Sequence, residues 1–227
     1  MDNINQDNNL LKGYNMLLYF AGSMIMYEPS EECIMDFWTK GNLKNLPVSS
    51  SNPNFIKAAS QLRNSCTDKS ICGKMLREDY IRLFGRQELP LAPPYESLYN
   101  SNRDIILNLR TPSVTEFYNS YGWQSKFRGK IDDDHLGIEL LFLTILIEKY
   151  LELEDQACMI EMKREISRFI DQHILYWIPA WNENIQQNAK TLCYKGIGTL
   201  LFACIEDIFN YFEQKRDTMN ENSTLKN

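Results

Sequence analysis

The residues best suited to chemistry form one acidic run, in which Asp132, Asp133 and Asp134 precede His135 and Glu139 follows four residues later. Carboxylates at a helix start are stabilised by the helix dipole and by unpaired backbone N–H groups, so capping alone explains much of this run. Positions four apart share one helix face, which groups His135 with Glu139. The alternative is an anionic socket in which Asp134 and His135 bind guanidinium or ammonium groups.

A second candidate is the irregular stretch from Gly85 to Ser101, which contains three prolines among apolar and aromatic residues. Proline restricts the backbone and lowers the entropy lost on ordering, so such a loop can hold Tyr95 and Tyr99 as rigid contact surfaces. The alternative is a crossover between helices that packs on the core. The residues alone leave both alternatives open.

A third candidate is the aromatic corner from Trp177 to Trp181, which contains Pro179. Aromatic residues beside a proline at a helix corner are typical of a core and a hinge. They are also what the walls of an apolar peptide-binding groove require, so this alternative stays open.

Signatures of catalysis are weak. The second histidine is His173, no Glu-x-x-His pair is present, and neither histidine has a cysteine-nucleophile context, so we expect no metal site and no catalytic residue. The chain also lacks the glycine-rich loops that cradle nucleotide phosphates. No Cys-x-x-Cys pair occurs, and we expect free thiols in a reducing compartment for all six cysteines: Cys33, Cys66, Cys72, Cys158, Cys193 and Cys204.

Composition and charge narrow the class of protein further. The chain has 227 residues with a net charge of −6, which argues against nucleic acid as a partner and favours a cationic one. The polar N-terminal residues lack a secretory signal pattern. The longest apolar stretch, from Leu136 to Ile147, is shorter than the roughly 20 residues of a membrane span. We therefore expect a cytoplasmic protein without membrane insertion.

Helical periodicity dominates the chain and predicts an all-α fold, a single globular domain of nine to eleven helices with the long proline-rich loop in its first half. The expected organisation is a flexible N-terminus at residues 1–8, a helical domain at 9–214 with a hinge around 122–133, and a disordered tail at 215–227. Helices are predicted at 9–27, 30–39, from Pro53, 69–84, from a Thr111 cap to Tyr121, 132–153, 154–175 and 182–214, the last broken near Gln187.

These segments, in this order, resemble the TorD/DmsD branch of the TorD/DmsD/NarJ superfamily of redox-enzyme maturation chaperones. The resemblance covers roughly residues 10–213 and is carried by four motifs. They are Tyr80-Ile-Arg-Leu-Phe-Gly85, Leu89-Pro-Leu-Ala-Pro-Pro-Tyr-Glu-Ser-Leu-Tyr99, Asp134-His-Leu-Gly-Ile-Glu-Leu140, and Trp177-Ile-Pro179 with Ala189-x-Thr191-x-x-Tyr194-x-Gly196.

The resemblance implies a cytoplasmic, non-catalytic chaperone that binds the twin-arginine leader and the apo form of a molybdopterin oxidoreductase catalytic subunit. It assists cofactor insertion and delays export, and it exists as a monomer or a domain-swapped dimer. The implied peptide-binding residues are Tyr80, Leu83, Phe84, Pro94, Tyr95, Glu96, Ser97, Tyr99, Asp134, His135 and Glu139. No cofactor is expected, although weak guanine-nucleotide binding by some relatives keeps a nucleotide-binding enzyme as an alternative. A further alternative is a helical interaction module that recognises the mature subunit without leader specificity.

Overall fold

The computed structural model describes residues 2–30, 41, 43, 45–66, 69–85, 90–99 and 113–224. Within this part of the chain the fold is entirely helical, which confirms the predicted fold class. It has eight α-helices: α1 Asp2–Met26, α2 Pro53–Arg63, α3 Lys69–Phe84, α4 Val114–Ser120, α5 Leu136–Glu152, α6 Gln156–Phe169, α7 Ile178–Asn188 and α8 Leu192–Thr224. A 3₁₀ turn at Glu96–Leu98 and a π-helical segment at Ile170–Leu175 complete the fold. The helix predicted at 30–39 lies outside the described residues.

Local sequence signals explain several helix ends. Asn52 caps α2 by accepting a hydrogen bond from the Asn54 N–H, and Pro53 occupies the first turn, where its missing N–H costs nothing. Helix α4 begins one residue after Ser113, which forms a capping box with Glu116. The sequence predicted Thr111 as this cap, so the observed start lies slightly further along the chain.

The most apolar helix, α5, lies at the centre of the core. It packs against α1 and α6, while α8 packs against α1, α2, α6 and α7. Leu136, Leu140, Leu143 and Ile147 of α5 are all buried. Burying each such side chain contributes about 1.5 to 3 kcal/mol to the free energy of folding. Helix α5 is therefore a stable element against which the neighbouring loops pack.

The side chains of three apolar residues do not face the core. Ile56, Ile71 and Met75 fit the apolar period of their helices, yet all three are exposed, whereas Ala58 and Leu76 are buried. The last helix extends to Thr224, and the disorder expected for residues 215–227 stays a prediction. The predicted break near Gln187 is present as the short connection between α7 and α8.

The expectation that all six cysteines are free is wrong, because Cys66 and Cys72 form a disulfide. The chain turns between α2 and α3 and brings their Cα atoms to 5.9 Å, a separation that disulfide geometry accepts. Cys158, Cys193 and Cys204 are free thiols. The spacing of six residues contains no signal that distinguishes this pair from the other cysteines.

Candidate functional site

The proline-rich loop is joined to the start of α5 by backbone hydrogen bonds. The Leu136 N–H donates to the Pro94 carbonyl oxygen at 2.8 Å, and the Glu96 N–H donates to the Asp134 carbonyl oxygen at 3.0 Å. This pairing is a short antiparallel bridge. Two segments about 40 residues apart in sequence therefore meet at one fixed junction, as the resemblance implied but spacing alone could not show.

Asp134 provides the carboxylate at this junction. Its Oδ2 accepts a hydrogen bond from the Ser97 N–H at 3.1 Å, and its side chain is half-buried. Next to Ser97, the Leu98 side chain is 58% exposed, and Leu91 on the same loop is 40% exposed. The loop that contacts the Asp134 carboxylate therefore also carries exposed apolar side chains.

The three aspartates have different roles. Asp133 Oδ2 accepts a hydrogen bond from the Thr115 hydroxyl at 3.0 Å, and its carbonyl oxygen accepts one from the Tyr118 hydroxyl at 3.1 Å. Asp132 is exposed. None of them caps α5, so the predicted capping role is wrong for the aspartates. Asp133 instead ties the junction to α4.

The cap of α5 is His135, whose Nδ1 accepts a hydrogen bond from the Gly137 N–H at 3.0 Å. Burial lowers the pKa of His135 to about 4, although the nearby Asp134 carboxylate opposes this shift. Because Nδ1 accepts a hydrogen bond, the neutral ring carries its proton on Nε2. The ring packs edge-on against Tyr95 at 5.0 Å between centroids. His135 therefore adds no positive charge beside Asp134 near neutral pH.

Behind the junction lies a buried polar cluster centred on Glu96. Its Oε1 accepts a hydrogen bond from the Tyr176 hydroxyl at 2.5 Å, and its Oε2 lies 3.3 Å from His173 Nδ1. Glu139 is completely buried, and burial raises the pKa of its carboxyl group well above the usual value, with a further contribution from Glu96. No sequence pattern indicated that Tyr176 or His173 would contact Glu96, and His173 was considered only as a metal ligand or a partner of a cysteine nucleophile.

The directions in which His173 and Tyr176 point depend on the π-helical segment. His173 lies within it and Tyr176 follows it directly. Helical periodicity in a sequence assumes 3.6 residues per turn, so a wider π turn changes which side chains face the core without leaving a sequence signal. The two residues could therefore not be grouped with Glu96 in advance.

The remaining candidates pack in an aromatic layer below the loop. Phe84 stacks on Trp181 with a centroid distance of 6.3 Å and meets Tyr80 edge-on at 5.6 Å. The Tyr80 hydroxyl donates to the Met26 carbonyl oxygen. Leu83 is completely buried. Tyr80 and Phe84 are half-buried, and the loop is attached to this layer through the Ala92 N–H, which donates to the Leu83 carbonyl oxygen.

Tyr99 ends the loop and is also held by packing. Its ring stacks on Trp177 at 5.2 Å, and its hydroxyl accepts a hydrogen bond from the Asn184 side chain at 3.2 Å. The indole N–H of Trp181 donates to the Ala92 carbonyl oxygen at 3.2 Å. The aromatic corner therefore belongs to the core and holds the loop in place. Of its two predicted roles, core or wall of a peptide-binding groove, these contacts favour the core.

Neither a metal site nor a membrane span emerges from this part of the chain. Among the described residues, no group of three His, Cys, Asp or Glu side chains is arranged to hold a metal ion. None of the helices in the described ranges combines the length and the apolar character that a bilayer crossing requires.

The described part of the chain thus combines a helical architecture with an acidic junction between loop and helix. The family profile described as "Nitrate reductase delta subunit" matches residues 51–183. Because this match covers more than half of the chain, the protein belongs to that family, within the TorD/NarJ superfamily.

Curated relatives support the TorD branch. The chain is 24% identical over 193 residues to "Chaperone protein TorD" of Vibrio cholerae serotype O1 (strain ATCC 39541 / Classical Ogawa 395 / O395), covering 84% of this chain and 87% of the relative. It is 26% identical over 140 residues to the protein of the same name from Vibrio parahaemolyticus, covering 62% and 65% of the two chains. A third relative of this name, from Actinobacillus pleuropneumoniae serotype 3, is 30% identical over 138 residues, which cover 58% of this chain and 60% of the relative. These relatives are chaperones by name, in agreement with the non-enzymatic function expected.

Proposed function

We propose that this protein is a cytoplasmic maturation chaperone for a redox enzyme and that it binds the twin-arginine leader of a molybdenum-cofactor oxidoreductase. The client is an enzyme of the dimethyl sulfoxide or trimethylamine N-oxide reductase type. Bound to its leader, the chaperone assists cofactor insertion and delays export until folding is complete. The family membership supports the chaperone class, and the loop–helix junction supports the leader as ligand.

The observation that carries this proposal is the hydrogen bond between the Asp134 carboxylate and the Ser97 N–H, on a loop that also exposes Leu91 and Leu98. A twin-arginine leader presents two guanidinium groups next to an apolar segment. Asp134 can accept charge-assisted hydrogen bonds from a guanidinium, while Leu91 and Leu98 contact the apolar part. His135 is neutral and does not repel the cation.

In this proposal the implied binding residues divide into two groups. Asp134, Tyr95 and Ser97 reach the surface of the junction and contact the leader, with Leu91 and Leu98 added from the structure. The second group positions the loop by packing beneath it. Its buried members are Leu83, Pro94, Glu96, His135 and Glu139, and its half-buried members are Tyr80, Phe84 and Tyr99. Pre-organisation by this second group lowers the entropy cost of binding.

The test is calorimetric titration with synthetic twin-arginine leaders, each paired with a peptide in which both arginines are lysine. Asp134→Asn should weaken binding of the arginine leader by about 1.5 to 3 kcal/mol, because it removes a charged acceptor. Asp132→Asn is the matched control, since its exposed side chain lies outside the junction. Binding that is equal for both peptides and unchanged by Asp134→Asn would reject the proposal.

A second candidate function is recognition of the mature subunit without leader specificity. It is favoured by a groove of about 1040 Å³ between α1 and α5, lined by Met16, Tyr19, Tyr27 and Leu151 with carboxylates such as Glu148 at its edge. An amphipathic helix with basic flanks fits such a surface. Under this alternative, Tyr19→Glu abolishes binding of the apo subunit while the isolated leader fails to bind at all.

A further inference from the structure

The disulfide between Cys66 and Cys72 spans the turn between two helices. Cys66 follows the end of α2, and Cys72 lies in the first turn of α3. The two residues are six positions apart in the sequence, and their Cα atoms are 5.9 Å apart. The bond therefore links the end of α2 to the start of α3 across a very short loop.

The sulfur atoms of this pair belong to residues that solvent can reach. Cys66 and Cys72 are both half-buried, whereas Cys193 and Cys204 are buried. Burial raises the pKa of the Cys193 thiol to about 12. Because the thiolate is the reactive form of cysteine, the two buried thiols are inert at neutral pH. The Cys66–Cys72 pair is better placed to react with a thiol from solution.

Both helices are held in the fold by contacts other than the disulfide. Helix α2 buries Phe55, Ala58 and Leu62 and packs against α8. Helix α3 is anchored by Asp79, whose carboxylate accepts a hydrogen bond from the Thr191 N–H at 2.8 Å. Cleavage of the sulfur–sulfur bond therefore leaves both helices docked on the core. The bond can open and close within the folded chain.

A disulfide with these properties differs from a structural cross-link. Small secreted domains need disulfides because their cores are small, but a chain of 227 residues buries enough surface to fold without them. In reducing compartments, disulfides are rare and mostly transient, and they exchange with low-molecular-weight thiols. A reachable pair between two independently anchored helices fits this second class.

The position of Cys72 indicates the order of the exchange reaction. A glutathione thiolate attacks the Cys66 sulfur, the bond to Cys72 breaks, and Cys72 leaves as a thiolate. The N-terminus of α3 stabilises this negative charge, which makes Cys72 the better leaving group. A second glutathione thiolate then attacks the glutathione sulfur of the mixed disulfide and releases Cys66. Two glutathione thiols are oxidised to one glutathione disulfide, and their two protons end on Cys66 and Cys72.

We propose that Cys66 and Cys72 form a reversible thiol–disulfide exchange site for a monothiol of the glutathione class. The closed bond holds the start of α3 against the end of α2, and the open form lets the first turns of α3 fray as far as the anchor at Asp79. Only the choice of glutathione depends on the cytoplasmic location that belongs to the proposed function. The exchange itself is a separate property of the chain and is measured without a leader.

Redox titration of the purified full chain tests the site. The chain is equilibrated without denaturant in buffers of increasing reduced-to-oxidised glutathione ratio, quenched with acid, alkylated and analysed by mass spectrometry. We expect Cys66 and Cys72 to become alkylated together in one two-electron transition, with unchanged helical circular dichroism. Cys158→Ser removes an exposed thiol and should leave the transition unchanged.

Three results of this titration would overturn the proposal. The pair could resist excess reduced glutathione until urea unfolds the chain, it could fail to close in excess oxidised glutathione, or its reduction could abolish the helical signal. Peptide mapping of the wild type shortly after mixing with reduced glutathione should find the mixed disulfide on Cys66. A mixed disulfide on Cys72 alone would overturn the assigned leaving group.

Amide hydrogen exchange tests what the bond does to α3. The amides of residues 73–75 should exchange faster in the reduced chain than in the oxidised chain, while the Leu83 amide, beyond the anchor at Asp79, keeps its protection. Cys66→Ser should exchange like the reduced wild type in either buffer. Equal exchange in the oxidised and reduced wild type would overturn the proposal. Since no leader is present, failure here and failure of leader binding are distinguishable.

Discussion

The carboxylate of Asp79 on α3 accepts hydrogen bonds from both the backbone N–H and the hydroxyl of Thr191, each at 2.8 Å. It also accepts from the Lys190 N–H and from Arg82, although only 1% of the Asp79 residue is exposed. These contacts join the end of α3 to the connection between α7 and α8. One buried charge thereby fixes the helix from which the proline-rich loop departs.

Asp79→Asn should lower the free energy of unfolding by about 3 to 5 kcal/mol, because it leaves several buried donors without a charged acceptor. Urea unfolding measures this loss. Glu78→Gln is the control, since the ion pair of Glu78 with Lys74 is an exposed contact worth at most about 0.5 kcal/mol. A loss for Asp79→Asn no larger than that of the control would contradict this role.

Gly137 allows α1 and α5 to approach closely, because a Cβ at this position would collide with the Met26 side chain. Gly137→Ala should therefore destabilise the protein by about 1 to 3 kcal/mol. In a Met26→Ala background the same substitution should cost much less, since the colliding atoms are gone. Thermal unfolding of the two single variants and the double variant measures this coupling, and strictly additive effects would contradict the steric explanation.

Burial of His135 makes the stability of the protein depend on pH. Its folded-state pKa of about 4 lies below the ordinary 6.5, so the unfolded chain binds more protons between these values. The stability contributed by neutral His135 is present above pH 6.5 and is lost as the pH falls towards 4, by about 3 kcal/mol in total. His135→Asn retains a capping acceptor without titrating and should flatten this part of the curve. Unfolding free energies of the wild type and of His135→Asn, measured between pH 4 and 6.5, test this prediction, and parallel curves would contradict it.

The helices could be predicted where the apolar period is regular and the ends carry local signals. Helix α3 has the predicted bounds, and Pro53 begins α2 as expected. Exposure was harder to predict, because Ile56 and Met75 fit the apolar period as well as their buried neighbours do. Which apolar residue faces the core depends on the helices packed against it, and these are distant in sequence.

The candidate site could be predicted only as two separate segments. The resemblance linked Tyr95 with His135, and the structure brings them into contact. The cap itself was assigned to the aspartates because a histidine is an uncommon N-cap residue. The contacts of Glu96 with His173 and Tyr176 join positions far apart in the chain, so no local pattern contains them.

The π-helical segment from Ile170 to Leu175 also affects how related sequences are compared. A π turn holds one more residue than the α turn it replaces, so a relative lacking one residue here can form an ordinary α turn and keep the directions of the residues that follow. A relative of equal length with a regular α-helix here would instead rotate Tyr176 and Trp177 by about 100° relative to the preceding helix. A missing gap at a place where the π turn is lost therefore marks a chain whose loop is supported differently.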